Sequence, residues 1–73
     1  GYRISNLDSS ICCEAPHLSK YISIMRKNIA KILEMPFENV SVKAMTNEGF
    51  DALGEGKAIK AIATVLIYKE ASL

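Results

Sequence analysis

Thr46 and Glu48 stand two residues apart where a β-branched run, Val40-Ser41-Val42, gives way to the glycine-rich stretch KAMTNEGFDALGEGKAI of residues 43–59. Three of the four glycines, Gly49, Gly54 and Gly56, fall within eight residues there, together with Asp51. Glycine admits positive φ and lets another group come close to the backbone. A hydroxyl two residues before a carboxylate, at the mouth of such a loop, suits a phosphate held beside a divalent cation. Glu48 cannot hold that cation unaided, because Mg2+ takes one or two carboxylates and completes its shell with phosphate oxygens and water. The stretch also reads as a long polar connection between strands, and short glycine motifs do not decide between the two.

A second group is Glu14-Ala15-Pro16-His17-Leu18-Ser19, at the turn from a first strand into a helix. Backbone N–H groups at a helix start are free to bind an anion or the polar edge of a base. His17, the only histidine, is either an acid/base group or an inert loop residue. Lys43 is either a phosphate ligand or a strand-surface lysine. If the strands flanking the helix are parallel, both loops emerge at carboxyl ends of strands, where α/β sheets bind ligands. Cys12 and Cys13 are adjacent. Neighbours in a strand point to opposite faces, so they cannot bridge each other or share one metal. They read as small reduced core or interface residues, in a reducing compartment. The sequence holds no Cys/His cluster, no Ser-His-Asp set and no Walker motif. By themselves the residues support a small α+β module that binds a phosphorylated ligand.

The elements that must position these residues follow from periodicity. Tyr2 to Glu14 reads as a strand in which Leu7, Ser9, Ile11 and Cys13 share one face and Asp8, Ser10 and Cys12 the other, with Ile4 out of phase. Pro16 ends it. From Leu18 to Glu34 the pattern is helical, with Ile22, Met25, Ile29, Ile32 and Leu33 as a stripe for covering a sheet. Lys20, Ser23, Lys27 and Lys31 form a solvated side, and Ser19 is the expected N-cap. Met35-Pro36 stops the helix, and Pro36 to Asn39 is a single turn. Val40 to Met45 is a second strand, with Val40, Val42 and Ala44 on one face. Ala58 to Tyr68 is a third, so apolar that coverage of both faces is expected. One helix cannot cover both faces of three strands, and a symmetric oligomer is the economical answer. A strand–helix–strand unit makes a parallel crossover.

Composition sets the outer limits. At 73 residues and 8.0 kDa the chain is one domain or a piece of one, and a chain this short buries only roughly 60% of its unfolded surface. A net charge of +1 gives no electrostatic footprint for nucleic acid. No apolar run reaches the roughly 18–20 residues that span a bilayer. The start at Gly1, without an initiator methionine, together with 49% hydrophobic residues, leads us to expect part of a larger domain that hides apolar surface against missing residues or other subunits.

Four segments carry a family resemblance. Gly1-Tyr2-Arg3-Ile4-Ser5-Asn6-Leu7-Asp8 resembles the GYxxxNxD opening of the second half of 2-C-methyl-D-erythritol 2,4-cyclodiphosphate synthases, enzymes of the non-mevalonate isoprenoid pathway. Glu14 to Leu18 is similar to their xxPKL/M turn, Lys43 to Glu48 to their KATTxE signature, and Gly54 to Ile59 to their GRGEGI segment. The resemblance covers all 73 residues but only the C-terminal half of a family member. It implies an α+β subunit with a mixed sheet, packing as a homotrimer with its sheets inward. It implies cyclisation of 4-diphosphocytidyl-2-C-methyl-D-erythritol 2-phosphate with release of CMP, in the cytoplasm or, in a eukaryote, a plastid-type organelle. Glu48 is implied as ligand of a Mg2+ or Mn2+ bridging the substrate diphosphate, and Thr46 as a catalytic, phosphate-contacting hydroxyl. Ala15, Pro16, His17, Leu18, Ala44 and Thr46 are implied as the cytidine pocket.

The departures are specific. The family's Zn2+ ligands, an Asp-x-His and a second histidine, belong to the N-terminal half, the expected partner of this segment, and nothing here replaces them. The lysine after the family's proline is His17, and its first signature threonine is Met45, which cannot hydrogen-bond phosphate. The arginine and glutamate of GRGEGI are Glu55 and Lys57. In the family that arginine faces a central trimer cavity that can hold an isoprenoid diphosphate, and Glu55 would repel such a ligand. Two expectations result: an enzyme whose zinc side lies outside these residues, so that this chain alone is inactive, or a non-catalytic trimeric scaffold or nucleotide-binding relative.

Overall fold

The computed structural model describes residues 1–71. Strand β1 (Tyr2–Cys12) leads through a 3-10 turn (Ser19–Tyr21) into helix α1 (Ile22–Leu33). A second 3-10 turn (Phe37–Asn39) precedes β2 (Val40–Met45). A four-residue helix α2 (Asp51–Gly54) then interrupts the glycine-rich stretch before β3 (Lys60–Lys69). The sheet is mixed, in the order β2-β1-β3. β1 and β2 are parallel, with Leu7 opposite Val40 and Cys12 opposite Met45. β1 and β3 are antiparallel, with Tyr2 opposite Lys69 and Cys12 opposite Lys60. The register shifts between Ile4 and Asn6. That one-residue irregularity accounts for the phase break at Ile4, because an extra residue returns Ile4 and Leu7 to the same side.

α1 lies on β2, and the core between them is small. Ala30, Met35, Val40 and Val42 are buried, with Ile4, Leu7, Ile11, Ile22, Met25, Ile29 and Phe37 packed around them. Met35 enters this core because the helix ends in a left-handed turn at Glu34 (φ 53°, ψ 49°), with the Met35 N–H returning to the Ala30 carbonyl at 2.9 Å. This is the helix-terminating arrangement in which a left-handed residue closes the last turn.

Several expectations are corrected. β1 ends at Cys12 rather than Glu14, because the chain turns back there, with the Cys13 thiol donating to the Ala15 and Pro16 carbonyls. Ser19 caps nothing: it lies inside the 3-10 turn that Leu18 opens, and α1 begins after Tyr21 without a side-chain cap. Ile32 is 78% exposed, since the buried arc of α1 runs through Met25, Ile29 and Ala30. β3 starts at Lys60, not Ala58. Within this chain all of β3 is exposed, because α1 lies over the β2 side of the sheet.

Candidate functional site

Parallel pairing delivers the carboxyl ends of β1 and β2 side by side, and the Cys13 N–H extends the ladder to the Met45 carbonyl at 2.9 Å. Beyond that last rung, β1 continues into the turn of residues 14–18 and β2 into the glycine-rich loop. A cavity of about 80 Å³ opens between them. Of the residues the resemblance assigns to a cytidine pocket, His17, Leu18, Ala44 and Thr46 line it, together with Cys13, Ser19 and Met45. Thr46 and Ala44 reach it because β2 ends there, while Leu18 and Ser19 reach it as the chain bends into α1.

Ala15 and Pro16 do not line the cavity. Both are exposed, and their carbonyls accept from the Cys13 thiol at 3.3 and 3.9 Å, which fixes the turn and not the pocket. Glu48 also stays outside the cavity walls. It sits in the left-handed region (φ 52°), and its N–H points at the Thr46 hydroxyl at 3.4 Å. Among the described residues its carboxylate has no hydrogen bond or ion pair, unlike that of Asp51. Asp51 Oδ1 accepts from the Leu53 N–H at 2.9 Å and the Asn47 amide at 3.0 Å, so Asp51 is committed within the loop. Of the loop's acidic groups, Glu48 is therefore the one near Thr46 that is free to meet a ligand.

The glycines have separate duties. Gly49 and Gly56 take φ of 79° and 75°, where a side chain is disfavoured. Gly54 is needed for close approach, because a Cβ there would overlap the backbone of Gly49. Glu14 Oε1 accepts from the Gly49 N–H at 2.7 Å, a link from the turn to the loop that sequence reasoning did not assign.

Two basic residues prove to be structural. Lys43 lies 3.3 Å from Asp8 across the sheet face away from α1 and does not reach the cavity. Lys57 pairs with Glu55 at 3.1 Å, so the exchanged charges of that segment answer each other locally. Both pairs are largely exposed and contribute little to stability.

The donor set fits a hard cation only in part. Glu48 offers one exposed carboxylate two residues from the Thr46 hydroxyl, a donor set that suits Mg2+ or Mn2+ once phosphate oxygens complete the shell. No group of three His, Cys, Asp or Glu side chains that could hold a metal occurs among the described residues. Cys12 and Cys13 are buried, free thiols. A larger cavity, about 400 Å³, opens at the other end of the sheet beside Tyr2, Arg3, Glu34, Pro36 and Tyr68. It contains none of the candidate site residues and faces the amino end of β2, so the smaller cavity at the carboxyl ends is the better candidate.

Comparison with known proteins places this geometry. The model of the YgbB family matches residues 1–68. A 2-C-methyl-D-erythritol 2,4-cyclodiphosphate synthase of Burkholderia mallei (strain SAVP1) is 46% identical over 72 residues, covering 99% of this chain and 44% of the relative. Among solved structures, IspF of Plasmodium falciparum in complex with CDP superposes with a TM-score of 0.91 at 31% identity, covering 96% of this chain and 45% of that one. The 2C-methyl-D-erythritol 2,4-cyclodiphosphate synthase of Plasmodium vivax gives 0.92 at 30% identity, covering 96% and 47%. The chain thus spans less than half the length of the relatives it matches. Its sequence and its mixed-sheet α+β fold together establish that this chain belongs to the YgbB family, the family of the 2-C-methyl-D-erythritol 2,4-cyclodiphosphate synthases.

Proposed function

We propose that residues 1–73 are the C-terminal portion of a single cyclodiphosphate-synthase-like domain. The complete domain cyclises 4-diphosphocytidyl-2-C-methyl-D-erythritol 2-phosphate and releases CMP. The observation that carries this reading is the meeting of His17, Leu18, Ala44 and Thr46 at one cavity, with the backbone N–H of Glu48 on the Thr46 hydroxyl. A synthase relative has been solved with CDP, which supports a cytidine diphosphate-linked ligand.

In the reaction the substrate's 2-phosphate oxygen attacks the β-phosphorus. A new P–O bond forms, the bond from the β-phosphorus to the CMP oxygen breaks, and CMP leaves with that electron pair. Such a step needs positioning and charge stabilisation more than covalent help from the protein. The cavity takes the cytidine, with the Ala44 and Leu18 backbones at its walls. The Thr46 hydroxyl meets the diphosphate, and Glu48 would hold a Mg2+ or Mn2+ through its carboxylate. A bound divalent ion supplies charge neutralisation at the phosphoryl oxygens. Zn2+ and its ligands belong to the N-terminal half, the partner this portion requires. The complete protein is a homotrimer in the cytoplasm.

The test is calorimetric titration of the complete protein with CDP, with and without Mg2+. Binding on the order of micromolar is expected with the ion. Glu48→Ala should remove the Mg2+-dependent part, a loss of at least about tenfold, or about 1.4 kcal/mol. Absence of CDP binding by a well-folded protein would sink the proposal. Met45 at the cavity, where no hydrogen bond to phosphate can form, favours a second reading, a nucleotide-binding relative without turnover. Tight CDP binding with no CMP release from substrate would select it.

A further inference from the structure

The loop that carries Thr46 and Glu48 is tied to the rest of the molecule by one side chain. Glu14 Oε1 accepts from the Gly49 N–H at 2.7 Å, across 35 positions of sequence. Among the described residues, every other hydrogen bond made by residues 46–57 stays inside that stretch, such as Glu48 N–H to Thr46, Phe50 N–H to Asn47 and Lys57 N–H to Ala52. The tether falls where the backbone most needs one. Glu48 and Gly49 are consecutive residues in the left-handed region, φ 52° and 79°, a conformation unfavourable for any residue with a Cβ.

Glu14 has no other engagement. Its second oxygen, Oε2, is buried without a partner among the described residues. A buried, unpaired carboxylate oxygen is costly, so the side chain is held in place by its bond to Gly49 and by the turn from which it springs. That turn continues directly into His17 and Leu18 of the cavity wall.

We propose that Glu14 is a positioning residue for the metal-and-phosphate loop. By clamping Gly49 it fixes the backbone of the adjacent Glu48, whose N–H meets the Thr46 hydroxyl, and couples that loop to the cavity wall. The inference rests on the reading of Thr46 and Glu48 given under Proposed function.

Glu14→Ala removes the acceptor. Glu14→Gln keeps an acceptor oxygen for Gly49 and replaces the unpartnered carboxylate oxygen by a neutral amide. Both are made in the complete protein and followed by amide hydrogen exchange at Gly49 and by CDP titration with and without Mg2+. The alanine variant should speed Gly49 exchange about tenfold or more, and weaken Mg2+-dependent CDP binding about tenfold while Mg2+-free binding holds, because the cavity persists. The glutamine variant should stay within about threefold of wild type in both. Unchanged Gly49 exchange in Glu14→Ala overturns the clamp. Equal damage from alanine and glutamine overturns it too, since charge and not the acceptor would then matter. Equal loss of CDP affinity with and without Mg2+ would assign Glu14 to the cavity instead of the loop. If the wild type binds no CDP, the functional reading falls alone, and Gly49 exchange still decides the clamp.

Discussion

Arg26 shows how much a single side chain outside the candidate site does for it. Its Nε donates to the Val40 carbonyl at 2.6 Å and its Nη2 to the Phe37 carbonyl at 3.3 Å, with the guanidinium 4.0 Å from the Phe37 ring centroid. These contacts fasten α1 to the start of β2, the strand that ends at Thr46. Charge-assisted hydrogen bonds of this kind contribute about 1.5–3 kcal/mol. Arg26→Met should therefore lower the stability of the complete protein by about that amount in urea unfolding. Arg26→Lys should recover less than half, because an ammonium cannot reach two carbonyls and stack on the ring at once. Sequence periodicity gives Arg26 no such role. Thr46 and Glu48, by contrast, stand out in the sequence by type, spacing and glycine context, although the same stretch reads equally as a polar connection. Glu14 was visible as part of a motif, but its partner lies 35 positions away, and no local pattern encodes that pairing.

The elements were mostly legible because their periods are strong. The alternation around Leu7 to Ile11 and the run Val40-Ser41-Val42 announce strands, and Ile22, Met25 and Ile29 announce the helix face between them. What failed was whatever depends on neighbours. The Ser19 cap lost to a 3-10 turn, and α2 was hidden within residues that read as loop. α2 is short, yet it explains the glycines, because its last residue rests on the backbone of Gly49. Gly54→Ala forces that contact apart, and overpacking of this kind costs about 1–3 kcal/mol. The expected result is faster amide exchange at Gly49 and Leu53 with β1 and β2 unaffected; a loop as protected as the wild type would show that the approach is not needed.

At the scale of the whole molecule the segment is open. Its radius of gyration is 15.0 Å, against about 11 Å for a compact chain of this length. Its accessible surface of 5522 Å² exceeds the roughly 4,500 Å² usual at this mass. The surplus is concentrated in β3, where Ile62, Val65, Leu66, Ile67 and Tyr68 are between 42% and 60% exposed. An apolar edge strand of this kind pairs with whatever strand it meets. Sedimentation of the isolated 73-residue chain should therefore give an oligomer, an aggregate or an unfolded species; a folded 8.0 kDa monomer would contradict this. Supplying the remainder of the domain in the same cell should bring it into solution. One hydrogen bond has a different kind of consequence. The Glu70 N–H meets the Gly1 carbonyl at 2.9 Å, so the chain enters and leaves the sheet at one corner, on adjacent strands. Whatever is joined to Gly1 therefore meets the sheet beside the outgoing end of β3, at the opposite end of β1 from the Glu14–Gly49 link.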